Sequence, residues 1–193
     1  MDESSLGYNY TYTSSVSKET DASSSFESLC QSQITPDLKN HIINAIAANL
    51  KDIIKENEKM QKNKYMFRDK VFYLEQIPPI SLEDYIQHLV KYTNMNISTL
   101  ILSIIYIDLF CEKFQYFLSF NNIYRLLLIS VFISLKYNED IMVNSKTYSN
   151  IAGVSVEELK MLEYQMCVAL DFDFYVKSDY YQEYFVYFNK YSS

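Results

Sequence analysis

Glycine occurs only twice in this chain of 193 residues, at Gly7 and Gly153. Average usage is roughly 7%, so the sequence almost lacks the residue that tight turns require. A β-sandwich or β-barrel needs many such turns, and loops that cradle phosphate need several glycines close together. The scarcity therefore favours an all-α fold and excludes Gly-rich nucleotide loops. The length and the 49% hydrophobic content suit one domain with a sizeable core.

The first 33 residues differ from the rest of the chain. They contain ten serines, five acidic residues and one basic residue, so they carry −4 of the net charge of −7. Polar segments with little hydrophobic periodicity are typical of disorder. We therefore expect residues 1–33 to form a disordered, Ser-rich acidic tail, and the other 160 residues to have an ordinary mixed surface.

Several classes of protein are disfavoured by the composition. The N-terminus lacks the basic and then apolar pattern of a secretory signal, and the longest apolar runs are too short to span a bilayer. Cys30, Cys111 and Cys167 lie far apart, without the spacing of a zinc site or a disulfide framework. A pI near 4.9 argues against nucleic-acid binding. We expect an intracellular protein of the cytoplasm or nucleus that uses no metal or cofactor.

Helix start signals divide the ordered part of the chain. Thr35-Pro36-Asp37 has the form of a helix start, and apolar residues follow it at three- and four-residue spacing. Residues 34–80 are therefore interpreted as an N-terminal helix and an irregular connector. At the other end, residues 175–193 are interpreted as an aromatic, amphipathic helix.

Residues 81–174 between them are predicted to form a five-helix domain. Ser81 and Ser155 begin capping-box patterns, and Gly153 is expected to end a short helix in the left-handed conformation. The middle helix is apolar on nearly every face, so it is expected to lie at the centre of the others. The five helices are predicted over about 82–92, 100–114 with a start at Asn96 or Ser98, 122–137, 146–150 and 156–170.

No arrangement of residues in the sequence predicts catalysis. His41 and His88 lie on separate helices with no Cys or Ser partner nearby, so ordinary surface or core positions are expected for both. The acids at 83–84 and 157–158 are explained as first-turn residues that favour the positive end of a helix. The chain is therefore not expected to be an enzyme.

Two charged residues have apolar neighbours. Lys136 follows Ser134-Leu135 at the end of the central helix, and Glu163 lies within Met161-Leu162-Glu163-Tyr164. A charge among apolar groups is costly unless it is paired. The two residues either pair at the mouth of a groove, or Lys136 extends to water while Glu163 faces solvent. Periodicity alone favours the second arrangement.

Several motifs together resemble a cyclin box of the P/U type, the group that includes the fungal phosphate-signalling cyclins. The run 85–93 is similar to the first box helix, and Tyr106-Ile107-Asp108 to the family's Y-I-D signature. Tyr124-Arg125 and Ser134-Leu135-Lys136-Tyr137 are similar to the motifs around the third helix. Tyr148 and the run 151–163 match the pattern that ends in Leu-Glu. The resemblance covers about half of the chain.

The resemblance implies a regulatory subunit that binds and activates a cyclin-dependent kinase as a heterodimer, with a role in cell-cycle or nutrient signalling. Lys136 and Glu163 fall on the family's paired residues, which hold the main chain at the edge of the kinase αC helix. Asp140 falls where this group often has an Asp. One use for it is pairing with a kinase arginine that otherwise binds an activation-loop phosphate; an ordinary loop acid is at least an equal interpretation. The kinase-binding residues implied in this way are Ile133, Lys136, Asp140, Glu163, Cys167, Phe172 and Phe174.

The sequence also departs from the family pattern. Leu109 replaces the usual arginine after Y-I-D, Asn150 replaces a lysine, and the substrate-docking motif ahead of the first box helix is missing. Residues 175–193 are too few for a second box, so a single box is expected. A cyclin-like adaptor that scaffolds proteins without activating a kinase is the first alternative, since fold alone does not fix function. A DNA-bound cyclin box and a helical enzyme are weaker alternatives.

Overall fold

The structure is a computed structural model that describes residues 35–60, 71–140 and 144–191. These residues form seven α-helices, and no β-strand occurs among them. The predicted tail, residues 1–33, lies outside the described part. The helices are α1 (Pro36–Met60), α2 (Leu82–Thr93), α3 (Ile97–Phe114), α4 (Ile123–Asn138), α5 (Ser145–Ala152), α6 (Val156–Ala169) and α7 (Ser178–Lys190).

Helix α4 lies at the centre, as its composition predicts. Twelve of its sixteen residues are buried, and it packs against α2, α3 and α6. Helix α5 packs on α2 and α6, and these five helices form the central domain. Helix α1 packs against α2 and α7, and α7 also packs against α3. The expected five-helix domain with one flanking helix at each end is confirmed.

The predicted caps begin and end the helices. The Ser81 hydroxyl oxygen accepts from the Asp84 backbone N–H at 3.1 Å, and that of Ser155 accepts from the Glu158 N–H at 3.0 Å. Gly153 ends α5 with φ of 72°. Satisfying the free N–H groups of a first turn stabilises a helix by about 1 kcal/mol, which is why these short polar motifs locate helix starts so well.

Helix ends without glycine use other residues in the left-handed region. Asn94 ends α2 with φ of 52°, and Gln115 ends α3 with φ of 48°. After α6, Asp171 and Phe172 are both left-handed, with φ of 54° and 57°. A non-glycine residue in this region costs on the order of 1 kcal/mol. The segment that follows α6 is therefore held in its conformation by contacts elsewhere.

Arg125 of α4 ties the connector to the central domain. Its guanidinium donates to the carbonyls of Val71 and Tyr73 at 3.0 and 2.9 Å and forms an ion pair with Glu158. Glu158 is therefore more than a first-turn acid, because it also anchors Arg125. No helix in the described part of the chain is long and apolar enough to cross a membrane.

Candidate functional site

Lys136 and Glu163 form an ion pair between α4 and α6. The Lys136 Nζ and the Glu163 Oε1 are 2.5 Å apart, and their side chains are 41% and 21% exposed. The arrangement that periodicity favoured, with the two residues unpaired, is therefore wrong. It fails because α6 packs on α4 and brings two residues 27 positions apart to the same rim, which a local pattern does not show.

The two helices position this pair through their buried faces. On α6, Leu159, Leu162 and Met166 are buried and fix which side of the helix faces the core. Glu163 then lies at the edge of that face, where its side chain remains partly exposed. On α4, burial stops at Leu135 and Lys136 is the first exposed residue. The ion pair thus lies where the core meets solvent.

Apolar groups adjoin the pair. Cys167 lies one turn after Glu163 on the same side of α6 and is half-buried. Burial raises the pKa of the Cys167 thiol, Glu163 raises it further, and Lys136 opposes them. Ile133, one turn before Lys136, is only 4% exposed, so it supports this surface from beneath.

Phe172 and Phe174 have different surroundings. Phe172 is 63% exposed, and its backbone N–H donates to the Cys167 carbonyl at 2.8 Å, which places it beside that residue. Phe174 is half-buried, with its ring centroid 5.5 Å from that of Tyr106 and 5.8 Å from that of Tyr137. Its carbonyl accepts from the Tyr106 hydroxyl at 3.0 Å. Phe172 is thus presented to solvent, whereas Phe174 anchors the segment to the domain.

We call the surface formed by Lys136, Glu163, Cys167 and Phe172 the α4–α6 groove. It combines one cation, one carboxylate and apolar groups, all at least partly exposed. Such a surface suits main-chain polar groups and apolar side chains of a protein partner. Asp140 is exposed two residues beyond α4, and it makes no hydrogen bond or ion pair with another described residue.

Glu139 has a role that the sequence did not indicate. Its carboxylate accepts from the Asn96 backbone N–H at 3.0 Å, from the Asn96 side-chain amide at 2.9 Å and from the Thr99 hydroxyl at 2.6 Å. The sequence alone predicts no role for Glu139, and these contacts show that it is bonded to the start of α3. One signal was available, since the first turn of α3 contains no acid of its own.

Asp108 of the Y-I-D signature lies away from the groove, between α3 and α7. The Tyr184 hydroxyl donates to its Oδ2 at 2.8 Å. Burial raises the pKa of the Asp108 carboxyl to about 6, an effect that the Tyr184 hydrogen bond opposes and Glu112 increases. The C-terminal aromatic helix therefore packs against a half-buried carboxylate.

The described residues show no arrangement suited to catalysis at the two histidines. The ring Nε2 atoms of His41 and His88 lie 3.1 and 2.8 Å from the carbonyls of Asn189 and Ile151. The first contact joins α1 to α7, and the second joins α2 to α5. Within residues 35–60, 71–140 and 144–191, no group of three His, Cys, Asp or Glu side chains is placed to hold a metal ion.

A family model described as Cyclin matches residues 11–174. The match begins well before Ser81, so α1 and the connector also fit the family's pattern. Among curated proteins, the chain is 26% identical to cyclin-U2-1 of Arabidopsis thaliana over 74% of this chain and 65% of that protein. It is 36% identical to cyclin-U4-3 of the same plant over 50% of this chain and 44% of that protein.

Cyclin-P3-1 of Oryza sativa subsp. japonica is 27% identical over 66% of this chain and 54% of its own length. The chain thus spans between 44% and 65% of the length of these relatives. The predicted P/U-type resemblance and the presence of a cyclin box are confirmed by these matches and by the all-helical structure. This chain belongs to the cyclin family.

Proposed function

We propose that this chain binds the αC helix of a cyclin-dependent protein kinase and activates it, as a regulatory subunit without catalytic residues of its own. The observation that carries the proposal is the Lys136–Glu163 ion pair, which is partly exposed at the rim of the α4–α6 groove. Both residues fall on the positions that the family resemblance assigns to kinase binding. Because cyclin-dependent kinases act inside the cell, the proposal assigns this chain to the cytoplasm or nucleus.

The groove chemistry matches the end of a helix. A helix terminus leaves main-chain N–H or C=O groups without intrahelical partners. Lys136 supplies donors for carbonyls and Glu163 supplies an acceptor for N–H groups, and hydrogen bonds to charged groups are stronger than neutral ones. Cys167 and Phe172 provide apolar surface for the side chains that the same helix presents.

Activation follows from preferential binding. In an isolated kinase of this class, αC is rotated so that its glutamate cannot meet the β3 lysine that orients the ATP phosphates. A rigid groove that binds the inward αC more tightly shifts the population toward that state. The burial of α4 on nearly every side makes the groove rigid, so the cyclin completes the kinase active site without taking part in the chemistry.

Asp140 extends the same surface. Its exposed carboxylate is available for a kinase arginine that otherwise binds the activation-loop phosphate. We propose that this contact lowers the dependence on phosphorylation. The activity of the unphosphorylated complex should then fall in Asp140→Ala while kinase binding is largely kept. Equal activity of the two complexes would make Asp140 an ordinary loop acid.

The proposal is tested by a pull-down from native extract, followed by mass spectrometry. Wild-type chain should retain a cyclin-dependent kinase and Glu163→Lys should lose it, with the helicity and melting temperature of the two proteins nearly equal. Glu56→Lys, the same change on the exposed side of α1, is the matched control and should retain the kinase. If Glu163→Lys and wild type retain the same proteins, the groove is not the binding site. If no kinase is retained, the scaffolding adaptor is the better account.

A further inference from the structure

The two acids that follow α4, Glu139 and Asp140, differ in burial and in hydrogen bonding. Glu139 turns inward and accepts three hydrogen bonds from Asn96 and Thr99 at the start of α3. Asp140, the next residue, is exposed. The two adjacent acids therefore have different surroundings: Glu139 is bonded within the fold, whereas Asp140 is exposed and has no bonding partner among the described residues.

Glu139 supplies what the start of α3 lacks. The first turn of α3 contains no acidic residue, and within the described residues the Asn96 side chain makes no capping hydrogen bond to that helix. A helix N-terminus carries partial positive charge and free N–H groups. The Glu139 carboxylate meets both needs from a position 43 residues away in the chain.

The same contacts fix the last turn of α4. The Glu139 backbone N–H donates to the Leu135 carbonyl at 3.1 Å, and the Asn138 side chain donates to the Ser134 carbonyl at 3.0 Å. The final turn, which contains Lys136, is thus held at its end by a side chain bonded to another helix. Helix ends otherwise fray, and a frayed Lys136 would have to be ordered again when a partner binds.

We propose that Glu139 is a positioning residue of the α4–α6 groove: by bonding α3 it holds Lys136 in its binding orientation and directs Asp140 toward the partner. This inference rests on the proposed kinase binding and adds a residue that has no contact with the kinase. It assigns the two acids separate roles, one in positioning and one in contact.

The test compares Glu139→Ala with Glu139→Gln. The Gln oxygen can accept from the Asn96 backbone N–H and the Thr99 hydroxyl. Its amide nitrogen can donate to the Asn96 side-chain oxygen once that amide rotates by 180°, so Gln is the conservative variant. Ser81→Ala removes the cap of α2, away from the groove, and controls for a general loss of stability. Two quantities are measured: hydrogen exchange at the amides of residues 135–138, and affinity for the binding member of a panel of purified cyclin-dependent kinases.

Glu139→Ala should raise exchange at residues 135–138 and weaken kinase affinity about tenfold, with both restored in Glu139→Gln. Ser81→Ala should change neither, although it lowers the melting temperature. The inference is overturned if Glu139→Ala binds the kinase as tightly as Ser81→Ala does. Lys136→Glu separates this from failure of the proposed function, since unchanged affinity in that variant would refute kinase binding at the groove itself.

Discussion

The α4–α6 groove and the interface between α3 and α7 both place a carboxylate beside aromatic side chains. The two carboxylates differ in the group that each one bonds. In the groove, Glu163 meets the Lys136 ammonium at a rim that solvent reaches. Between α3 and α7, Asp108 meets the Tyr184 hydroxyl, and no cation pairs with it among the described residues. The ion pair at the rim remains available to a partner, whereas the half-buried Asp108 carboxylate is bonded within the fold.

This comparison has consequences for stability. An exposed ion pair contributes about 0–1 kcal/mol, so the groove gains little folding energy from its two charges. A carboxylate removed from water without a cation destabilises the folded state when it is ionised. Charge substitutions should therefore act on binding at the groove and on stability between α3 and α7.

The largest effect is expected from reversing the ion pair. In the double variant Lys136→Glu/Glu163→Lys, the two side chains can still pair, so the melting temperature should stay close to that of wild type. Kinase affinity should fall about a hundredfold or more, because the donor and the acceptor have exchanged places relative to the kinase main chain. Calorimetric titration and thermal unfolding measure the two quantities. A double variant that binds the kinase as tightly as wild type would contradict the claim that charges at the groove act on binding.

The next effect concerns stability at neutral pH. Because the folded state raises the pKa of Asp108 to about 6, this group's contribution to stability is fully present below the unfolded pKa near 4 and is lost as pH rises through about 6. Asp108→Asn retains an acceptor for Tyr184 but carries no charge. It should stabilise the protein at pH 7 by up to about 3 kcal/mol.

Urea unfolding of wild type and Asp108→Asn between pH 4 and pH 7.5 checks this prediction. The difference in unfolding free energy should grow across that range, with kinase affinity unchanged. If the difference is constant with pH, the Asp108 carboxyl does not change its ionisation on folding. The claim that its charge destabilises the interface between α3 and α7 would then be wrong.

The smallest effect separates the two phenylalanines. Phe172→Ala removes an exposed ring and should weaken kinase affinity about tenfold while leaving stability nearly unchanged. Phe174→Ala removes a ring packed on Tyr106 and Tyr137 and should lower stability by about 1–3 kcal/mol. Unfolding and binding measured on both variants give this comparison. Equal losses of stability would show that Phe172 is a packing residue.

Local patterns predicted the helices but not the contacts between them. Ser81, Ser155 and Gly153 locate helix ends because caps depend on residues within one turn of each other. The carboxylate of Glu139 instead bonds a helix start 43 residues earlier in the chain. The surroundings of Asp108 depend on α7, 76 residues later. Such partners depend on which helices pack together. Hydrophobic periodicity shows which face of a helix is buried, but not which helix packs against it.

The family resemblance supplied what periodicity could not for the groove. Periodicity favoured an unpaired Lys136 and Glu163, while the family motifs predicted the pair that the structure shows. The kinase contacts of all seven proposed binding residues stay predictions; the structure shows only how exposed each residue is. Ile133 is the clearest case, since its burial predicts a supporting role rather than direct contact.

The most direct test of the central claim is the turnover of a purified cyclin-dependent kinase on a peptide substrate, alone and with saturating wild-type chain. If about 1% of the isolated kinase has αC inward, full capture of that state raises turnover by up to about a hundredfold. The account predicts such a rise with wild type and none with Lys136→Glu. A kinase that binds the wild-type chain tightly without any rise in turnover would contradict activation and show that the groove serves a scaffold.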